Sequence, residues 1–374
     1  MSAARAYLSG GRIGDDLGRL SAFRAHVASL FAQAGAERVE PETLQPADTL
    51  LDLYGEDLRA RAYVVNDPVE GELFLRTDFT VPVARLHMEE GADPARYAYD
   101  GLVWRRQAPG SARPTEYLQA GIELIGGDRA SDEAEVFTLI RDALAGVETT
   151  PITGDIGIIL AAIASLETSA PRRAALRRHI WRPARFQALL DRYAAPPAPA
   201  PARATLLAAD EAGRRAAIGD AGKFVGARGR EEILARISVL AAEAEVPPLS
   251  GEQKAFVEAV IAVKGPSGEA LTRLRALAAP PMTPALDAME RRMEALAKRG
   301  VAAETLLFDA AFGRTLEYYD GFTFEFRAAN PALPPLGGGG RYDALTAVLG
   351  RGAGSTAIGA IVRPEAVVAT GWRP

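Results

Sequence analysis

The sequence predicts an α+β protein, with a mixed, mostly antiparallel sheet that is flanked by helices and interrupted by a helical insertion. Three observations support this class. Four strand patterns follow one another between residues 61 and 126, the composition shifts to Ala, Leu, Arg and Glu near residue 165, and strand patterns return after residue 303. Strands close in sequence tend to pair antiparallel. We therefore expect one sheet domain from 1–165 and 301–374, with 166–300 as the insertion.

The first element is an amphipathic helix over residues 15–34. Asp15 and Asp16 favour its start and Gly35 favours its end. Its apolar side chains recur at helical spacing: Leu17, Leu20, Phe23, Val27, Leu30 and Phe31. A short strand, RVEP, is predicted to follow.

The strand block contains the most informative pattern of the chain. Its segments are RAYVVND, GELFLRTDFT, ARYAYDGLVWRR and TEYLQAGIELIG, with a helix, VPVARLHMEE, between the second and the third. Alternate side chains of a strand point to opposite faces. Gln119, Gly121 and Glu123 therefore share one face of the last strand, while its apolar residues share the other. We predict a hairpin with one apolar side and one side that holds a polar, charged ligand.

The remaining elements alternate between helices and returning strands. A helix is predicted over SDEAEVFTLIRDALAGV with Ser131 as its N-cap, and others over EEILARISVLAAEA and ALDAMERRMEALAKRG in the insertion. Strands are predicted at ETLLFDAAF and EYYDGFTFEFRA. GGGGRYDALTAVLG predicts a Gly-rich loop into a short helix, and STAIGAIVRPEAVVA a last strand and helix.

Composition excludes several classes of function. The net charge of −5 provides no global basic field, so we expect no nucleic-acid partner. Cysteine is absent, which rules out disulfides and thiolate metal sites, and the three histidines are far apart in sequence. We expect neither a metal nor a cofactor. No apolar window long enough for a membrane span or a secretion signal is present, so the expected location is the cytoplasm.

Three clusters carry the candidate chemistry. The first is RTDFT at 76–80, the second is the hairpin, and the third joins GRTLEYYDG with GGGGRYD. The third contributes Arg314, Glu317, Tyr318, Tyr319 and Tyr342. Carboxylates and amide oxygens suit an ammonium, and guanidinium groups suit a carboxylate. Polar residues on one face of several strands therefore predict a pocket for a zwitterion.

These motifs resemble the catalytic core of histidyl-tRNA synthetase, a class II aminoacyl-tRNA synthetase. LRTDFTVPVAR is similar to the family's LRPEGT and the apolar helix after it, and GLVWRRQAPGSARPTEYLQAGIELIG resembles its second class motif. GRTLEYYDGFTFEF is similar to RGLDYYTGTVFE, and GGGGRYDAL to GGGRYDGL. The resemblance covers about half of the chain and implies a class II synthetase-like fold.

The resemblance also implies a histidine pocket. Asp78 and Thr80 match the positions that receive the ammonium of the amino acid. Arg105, Gln119 and Glu123 match the pocket positions of the second motif. The C-terminal histidine-binding positions are matched by the following residues: Arg314, Tyr319 and Tyr342. Within this set, the sequence departs from the family by an aspartate at position 78 in place of a glutamate.

The ATP-binding features differ from the family pattern. Gln107 stands where the second motif has a glutamate that helps to fix adenine, and Ala108 stands where its loop has an arginine. The position of the ATP-clamping arginine in the third motif falls on Ala366. The sequence ends at Pro374, where a synthetase would continue for about a hundred residues into an anticodon-binding domain, so none is expected.

A retained amino-acid pocket beside an altered ATP site resembles the regulatory subunits of short-form ATP phosphoribosyltransferase, the first enzyme of histidine biosynthesis. The resemblance implies a chain without catalysis that joins a short catalytic subunit, activates it and mediates feedback inhibition by histidine as allosteric ligand. It also implies self-association through the class II dimer interface, around Phe23–Pro41. Two alternatives stay open: a histidine-adenylating enzyme that acts on an acceptor other than tRNA, and a scaffold without a small ligand.

Overall fold

The central sheet has nine strands and is built from both ends of the chain. The structure, a computed structural model, describes residues 12–47, 60–108, 111, 114–220, 229–313, 318–350 and 352–373. The described strands are, in chain order from β1 to β12, Glu37–Arg38, Leu44–Pro46, Val64–Asp67, Gly71–Leu75, Ala95–Trp104, Glu116–Ile125, Thr149–Asp155, Lys264–Pro266, Leu307–Asp309, Phe322–Ala328, Gly337–Arg341 and Ala357–Val362. The large sheet has the order β1-β5-β6-β12-β11-β10-β7-β9-β8.

The direction of the strands confirms the predicted fold class. Within the described sheet, β1 runs parallel to β5 and β7 runs parallel to β9, while the other neighbours pair antiparallel. The expectation that the four patterns between 61 and 126 form one sheet is wrong. β3 and β4 pair with β2 in a separate three-stranded sheet, because a helix turns the chain away between β4 and β5.

Helices cover one face of the large sheet and form the rest of the molecule. The described helices are, from α1 to α14, Gly14–Gln33, Thr80–Glu90, Arg129–Ala143, Ile156–Ala164, Ala170–Arg178, Pro183–Ala194, Pro201–Ala208, Glu211–Asp220, Arg230–Ala244, Gly251–Ile261, Ser267–Leu277, Thr283–Lys298, Asp343–Leu349 and Pro364–Ala369. In the described ranges, none of them combines the length and the apolar character needed to span a membrane.

The main core lies between the sheet and the helices α1, α3 and α12. Phe324 and Phe326 lie two positions apart on β10, so both side chains point to this face of the sheet. Their ring centroids lie 5.1 and 5.0 Å, respectively, from that of Phe137 on α3. Phe23 of α1 and Met289 of α12 belong to the same buried cluster. The apolar faces that periodicity predicts for these helices and strands therefore meet in one core, which leaves the opposite sheet face for polar residues.

An ionic cluster lies buried on the helix-covered side of the sheet. Arg292 of α12 donates from Nη1 to Glu133 Oε2 and to Asp155 Oδ2, at 3.0 Å each. Arg341 of β11 donates from Nε to Glu133 Oε1 at 2.6 Å. All four side chains are at most 4% exposed. Buried charges persist only when they are paired and hydrogen-bonded, and here each carboxylate faces a guanidinium.

The segment 166–300 packs in two ways. Leu176, Phe186 and Leu190 form a separate cluster with Ile156 and Ile163, at the two ends of α4. From Val260 onward, including Leu274 and the helix α12, the chain joins the main core, and β8 is a strand of the large sheet. The division of the chain at 166 and 300 stays a prediction, and this packing favours a shorter insertion that ends before Val260.

Two local predictions are wrong. Glycines 337–340 form the strand β11 and not a loop, since neighbouring strands approach closely there: a Cβ on Gly339 would lie 2.1 Å from the carbonyl oxygen of Gly359. The N-cap of α3 is Asp128 and not Ser131. The Asp128 backbone is extended and its Oδ1 accepts from the backbone N–H of Ser131 at 2.9 Å, the geometry of a capping side chain.

Candidate functional site

The open face of the large sheet has a floor of glycines between polar side chains. One row across the strands pairs Tyr97 with Glu123, Glu123 with Gly359, Gly359 with Gly340 and Gly340 with Thr323. These residues share one face because directly paired positions on neighbouring strands point the same way. The face that the sequence predicted to be polar therefore carries the Glu123 side chain above a row of glycines.

Positions 359 and 121 accommodate only glycine, because neighbouring side chains fill the space that a Cβ would need. A Cβ on Gly359 would lie 1.5 Å from Glu123 Oε2, and a Cβ on Gly121 would lie 2.5 Å from the Tyr99 ring. Real atoms do not approach so closely, so a larger residue would displace the carboxyl group or the phenol. The glycines thus hold the space in which the Glu123 side chain sits.

Glu123 is fully buried and receives three hydroxyl hydrogen bonds from three separate elements. Thr80 Oγ1, at the start of α2, and the Tyr99 hydroxyl, on β5, donate to Oε1 at 2.9 Å each. The Tyr342 hydroxyl, just after β11, donates to Oε2 at 2.6 Å. The sequence motifs around residues 80, 123 and 342 therefore meet at one carboxyl group.

The environment of Glu123 moves its pKa toward neutrality. Burial raises the pKa from 4.5 to about 7, and the hydrogen bonds from Tyr342, Thr80 and Tyr99 offset part of that rise. Desolvation disfavours the charged form of a carboxyl group, whereas hydrogen bonds to that form favour it. Hydroxyl groups bring no positive charge. The site therefore has an uncompensated acid that suits a cationic or N–H-donating ligand.

Asp78 and Thr80 lie at the start of a helix and not on a strand, contrary to the prediction for RTDFT. β4 ends at Leu75, and α2 begins at Thr80. Asp78 is 4% exposed, and its Oδ1 accepts from the backbone N–H of Val81 at 3.3 Å. An acid at a helix N-terminus is stabilised by the unpaired N–H groups there. The helix start thus brings a second carboxylate toward the Glu123 side of the pocket.

Gln119 places a buried acceptor on the same face. It is 3% exposed, and within the described residues its Oε1 has no hydrogen-bond partner. A buried acceptor without a donor costs about 1–3 kcal/mol. A ligand that donates a hydrogen bond to this oxygen would remove that cost, which makes Gln119 a candidate ligand-binding residue.

Tyrosines cover the pocket from the C-terminal part of the chain. The rings of Tyr318 and Tyr319 meet edge to face with centroids 4.8 Å apart, and Tyr318 meets Tyr342 in the same way at 6.2 Å. Burial raises the pKa of Tyr319 and of Tyr342, so both hydroxyls stay protonated and available as donors. Arg314, the remaining predicted residue of this group, lies outside the described residues.

Gln107 has a structural role at the rim of the pocket. Its Nε2 donates to the carbonyl oxygens of Pro114 at 3.1 Å and Arg105 at 3.3 Å, and its Oε1 accepts from Arg61 at 3.2 Å. Arg105 donates from Nε to the carbonyl oxygen of Thr77 at 2.9 Å. The amide that replaces the family's glutamate therefore ties the ends of β5 and β6 together.

Two residues of the site were missing from the predicted set. Tyr99 donates to Glu123, and its position on the polar face follows from strand alternation, which was a usable signal. Arg363, just after β12, continues the alternation of Gly359 and Ile361 onto the same face, although its place in the third motif predicts a side chain that points elsewhere. Among the described residues, no group of three His, Asp or Glu side chains could hold a metal ion.

The sequence matches the histidyl-tRNA synthetase family over residues 14–248 and 235–367. The ATP phosphoribosyltransferase regulatory subunit of Mesorhizobium japonicum is 35% identical over 350 residues, which cover 89% of this chain and 92% of that protein.

Solved structures with these names share the fold. An ATP phosphoribosyltransferase regulatory subunit/histidyl-tRNA synthetase from Bacillus halodurans C superimposes with a TM-score of 0.70 at 22% identity, covering 99% of this chain and 83% of that one. Histidyl-tRNA synthetase from Nostoc sp. PCC 7120 gives 0.62 at 14% identity, covering 97% and 75%. At such identities the likeness concerns the fold alone, and it is that of a class II synthetase.

Proposed function

The chain belongs to the ATP phosphoribosyltransferase regulatory subunits, which have the fold of histidyl-tRNA synthetase, and we propose that it binds histidine on the open sheet face and thereby controls a catalytic partner. Its role in this family is regulatory and not catalytic. The partner is a short-form ATP phosphoribosyltransferase catalytic subunit, which the chain activates and makes sensitive to feedback inhibition by histidine.

The observation that carries the histidine proposal is the buried Glu123 with its three hydroxyl donors. A carboxyl group with a pKa of about 7, shielded from water, accepts a hydrogen bond from an imidazole N–H and is stabilised as an anion by an imidazolium. Tyr342 and Tyr319 line the same position with protonated hydroxyls. These features suit a ring that is flat, polar and able to donate.

The other predicted residues suit the amino-acid end of histidine. Asp78, Thr80 and Gln119 offer oxygen acceptors for the ammonium group, and all three are buried on the Glu123 side. Arg105 offers a guanidinium for the carboxylate, together with Arg314 by the family resemblance. Acceptors and guanidinium groups on one face match the two neighbouring charges of a zwitterion, and this arrangement supports histidine over a simple anion or cation.

Regulation requires that the ligand distinguish two states of the assembly. A ligand shifts an equilibrium only by the difference in its affinity for the two states. The pocket joins α2, β5, β6 and the end of β11, so a ligand that contacts Glu123 contacts elements from both halves of the chain. A relative movement of these elements is the means by which histidine would alter the surface that meets the catalytic subunit.

The test is to mix the full chain with a short-form catalytic subunit and to measure turnover with and without histidine. We expect the chain to raise turnover and histidine to lower it again. Turnover that the chain neither raises nor makes sensitive to histidine would contradict the proposal. A parallel assay for histidine-dependent exchange of pyrophosphate into ATP should be negative, and detectable exchange would favour the adenylating alternative.

Self-association through the region Phe23–Pro41 is part of the proposal. β1, at Glu37–Arg38, is the first strand of the large sheet and has an unpaired edge on its outer side in the described structure. Such an edge pairs readily with another chain. Because Leu20, Phe23, Val27 and Phe31 of α1 are buried in the core, the contact would use β1 and the exposed side of α1, which includes Leu17. Sedimentation of the chain with and without Pro substitutions in β1 tests this.

A further inference from the structure

We infer that Arg363 binds the α-carboxylate of the amino acid in this pocket and makes the site selective for free amino acids over their amides and amines. This inference rests on the proposed function, because it takes the open sheet face as an amino-acid site. It adds a residue and a selectivity that the histidine proposal alone does not contain.

The position of Arg363 follows from the register of β12. Gly359 is paired with Glu123, Ile361 with Gly121 and Val362 with Ala120. Arg363 still has extended backbone, with φ −108° and ψ 94°, so the alternation continues for one more residue. Arg363 therefore shares the pocket face with Gly359 and Ile361. Continuing the same register places it opposite Gln119.

Gln119 and Arg363 lie opposite each other and suit the ammonium and the carboxylate that an amino-acid ligand carries on its α-carbon. Side chains directly opposite on antiparallel strands have Cβ atoms about 4.5–5.5 Å apart. Gln119 Oε1 is a buried acceptor without a partner in the described structure, which suits an ammonium. Arg363 presents donors and a positive charge one strand away, which suits a carboxylate. An α-amino acid has these two groups on a single carbon and can contact both residues at once.

The guanidinium of Arg363 has unused donors. An arginine has five N–H groups, and in the described part of the chain Arg363 makes one side-chain hydrogen bond, from Nη1 to the carbonyl oxygen of Pro335. Glu325, the carboxylate whose charge acts on Arg363, is engaged by Arg327. A half-buried cation without a paired anion is unfavourable, and a ligand carboxylate would relieve it.

The electrostatic surroundings support the same assignment. Burial lowers the pKa of Arg363, and the positive charge of Arg105 lowers it further, while Tyr117, Glu325 and Tyr319 raise it. The positive charges of Arg105 and Arg363 repel each other on this face, and an anion bound between them would stabilise both guanidinium groups. A neutral amide at the same place would leave this repulsion in place, which is the physical basis of the selectivity.

The experiment is calorimetry of the full chain with histidine, histidinamide and histamine, for the wild type, Arg363→Ala, Arg363→Lys and Arg19→Ala. Arg19 is an exposed arginine of α1 whose removal changes the net charge equally. We expect the wild type to prefer histidine over histidinamide by about 10- to 100-fold, the range of a charge-assisted hydrogen bond. Arg363→Ala should lose this preference, Arg363→Lys should keep part of it, and Arg19→Ala should keep all of it.

The outcomes separate this inference from the proposed function. A wild type that does not bind histidine would overturn both. A wild type that binds histidine, together with an Arg363→Ala chain that keeps the full preference over histidinamide, would overturn the role of Arg363 alone. Melting curves report whether each variant folds. If Arg363→Ala does not fold, Arg363→Lys decides, and an undiminished preference in that variant would contradict the inference.

Discussion

Two buried glutamates on opposite sides of the same sheet are stabilised in different ways. On the helix-covered side, Glu133 accepts from Arg341 at 2.6 Å and from Arg292 at 3.0 Å, so its charge is compensated within the protein. On the open side, Glu123 accepts only hydroxyl hydrogen bonds among the described residues. Both side chains are almost inaccessible to water, at 4% and 0% exposure.

The difference separates an acid whose charge the protein neutralises from an acid whose charge stays uncompensated. Guanidinium groups satisfy both the hydrogen bonds and the charge of a carboxylate, and such a cluster gains nothing from a ligand. Hydroxyl groups satisfy the hydrogen bonds but leave the charge, which is why burial raises the pKa of Glu123 to about 7. Four experiments test this contrast, from the largest expected effect to the smallest.

The largest effect should come from Arg341→Met, which breaks the ionic cluster. Removing one partner of a buried ion pair leaves the other charge unpaired and costs about 3–5 kcal/mol of unfolding free energy. Urea unfolding measures it. Arg19→Ala is the matched control, because it breaks an exposed pair with Asp16 and should cost less than about 1 kcal/mol. Equal losses in the two variants would contradict the structural role of the cluster.

The second effect is a pH dependence that is specific to the open side. The pKa of Glu123 is raised in the folded state from 4.5 to about 7, so its contribution to stability is complete below about pH 4.5 and is lost as the pH rises through about 7. A shift of this size corresponds to about 3 kcal/mol. Between pH 4.5 and 8, the unfolding free energy of the wild type should fall by about 3 kcal/mol relative to that of Glu123→Gln. Parallel curves would show that Glu123 does not titrate in this range.

The third effect comes from Gly359→Ala, which fills the space beside the Glu123 carboxyl group. The added methyl would lie 1.5 Å from Glu123 Oε2 and must displace it, an overpacking that costs about 1–3 kcal/mol and should weaken histidine binding. Gly18→Ala is the control, because its Cβ meets no atom within 4 Å and alanine favours a helix. Thermal unfolding and calorimetry report both quantities. Unchanged histidine affinity in Gly359→Ala would place the ligand elsewhere.

The smallest effect should come from Gln107→Ala at the rim. It removes hydrogen bonds to Pro114 and Arg105 and the acceptor for Arg61. Because Gln107 is partly exposed, water replaces much of what is lost, and we expect a net cost of about 0.5–1.5 kcal/mol, the value of one typical hydrogen bond. Urea unfolding measures the loss. Because the residue ties the chain and does not hold a nucleotide, ATP should fail to stabilise either the wild type or the variant in the same experiment. Stabilisation of the wild type by ATP would contradict that assignment.

The sequence predicted those helices and strands whose apolar periodicity can be read within a single segment. Of the predicted apolar stripe of α1, Leu20, Phe23, Val27 and Phe31 are buried, whereas Leu17 is 46% exposed. The alternating phenylalanines of β10 are all buried. It also predicted that Gln119, Gly121 and Glu123 share a face. Glycines 337–340 were misassigned, because strand formation there depends on close neighbours and not on propensity.

Other features depend on contacts that a linear pattern does not contain. Asp78 and Thr80 reach the pocket through the start of α2, since the chain turns after β4. Arg363 reaches it because β12 lies beside β6, a pairing between residues more than 200 positions apart. The ionic cluster likewise joins Glu133 with Arg292 and Arg341 across the sequence. The family resemblance identified the pocket motifs, whereas Arg363 and the ionic cluster are recognisable only from the pairing of strands and helices in the structure.

The most direct test of the account is calorimetry of histidine with the full chain and with Glu123→Gln at neutral pH. The substitution keeps the size of the side chain and removes its charge. We predict saturable binding of one histidine per chain to the wild type and a loss of about 10- to 100-fold in affinity for the variant, as expected for a charge-assisted hydrogen bond. Equal affinities would show that the carboxyl group at position 123 does not sense histidine.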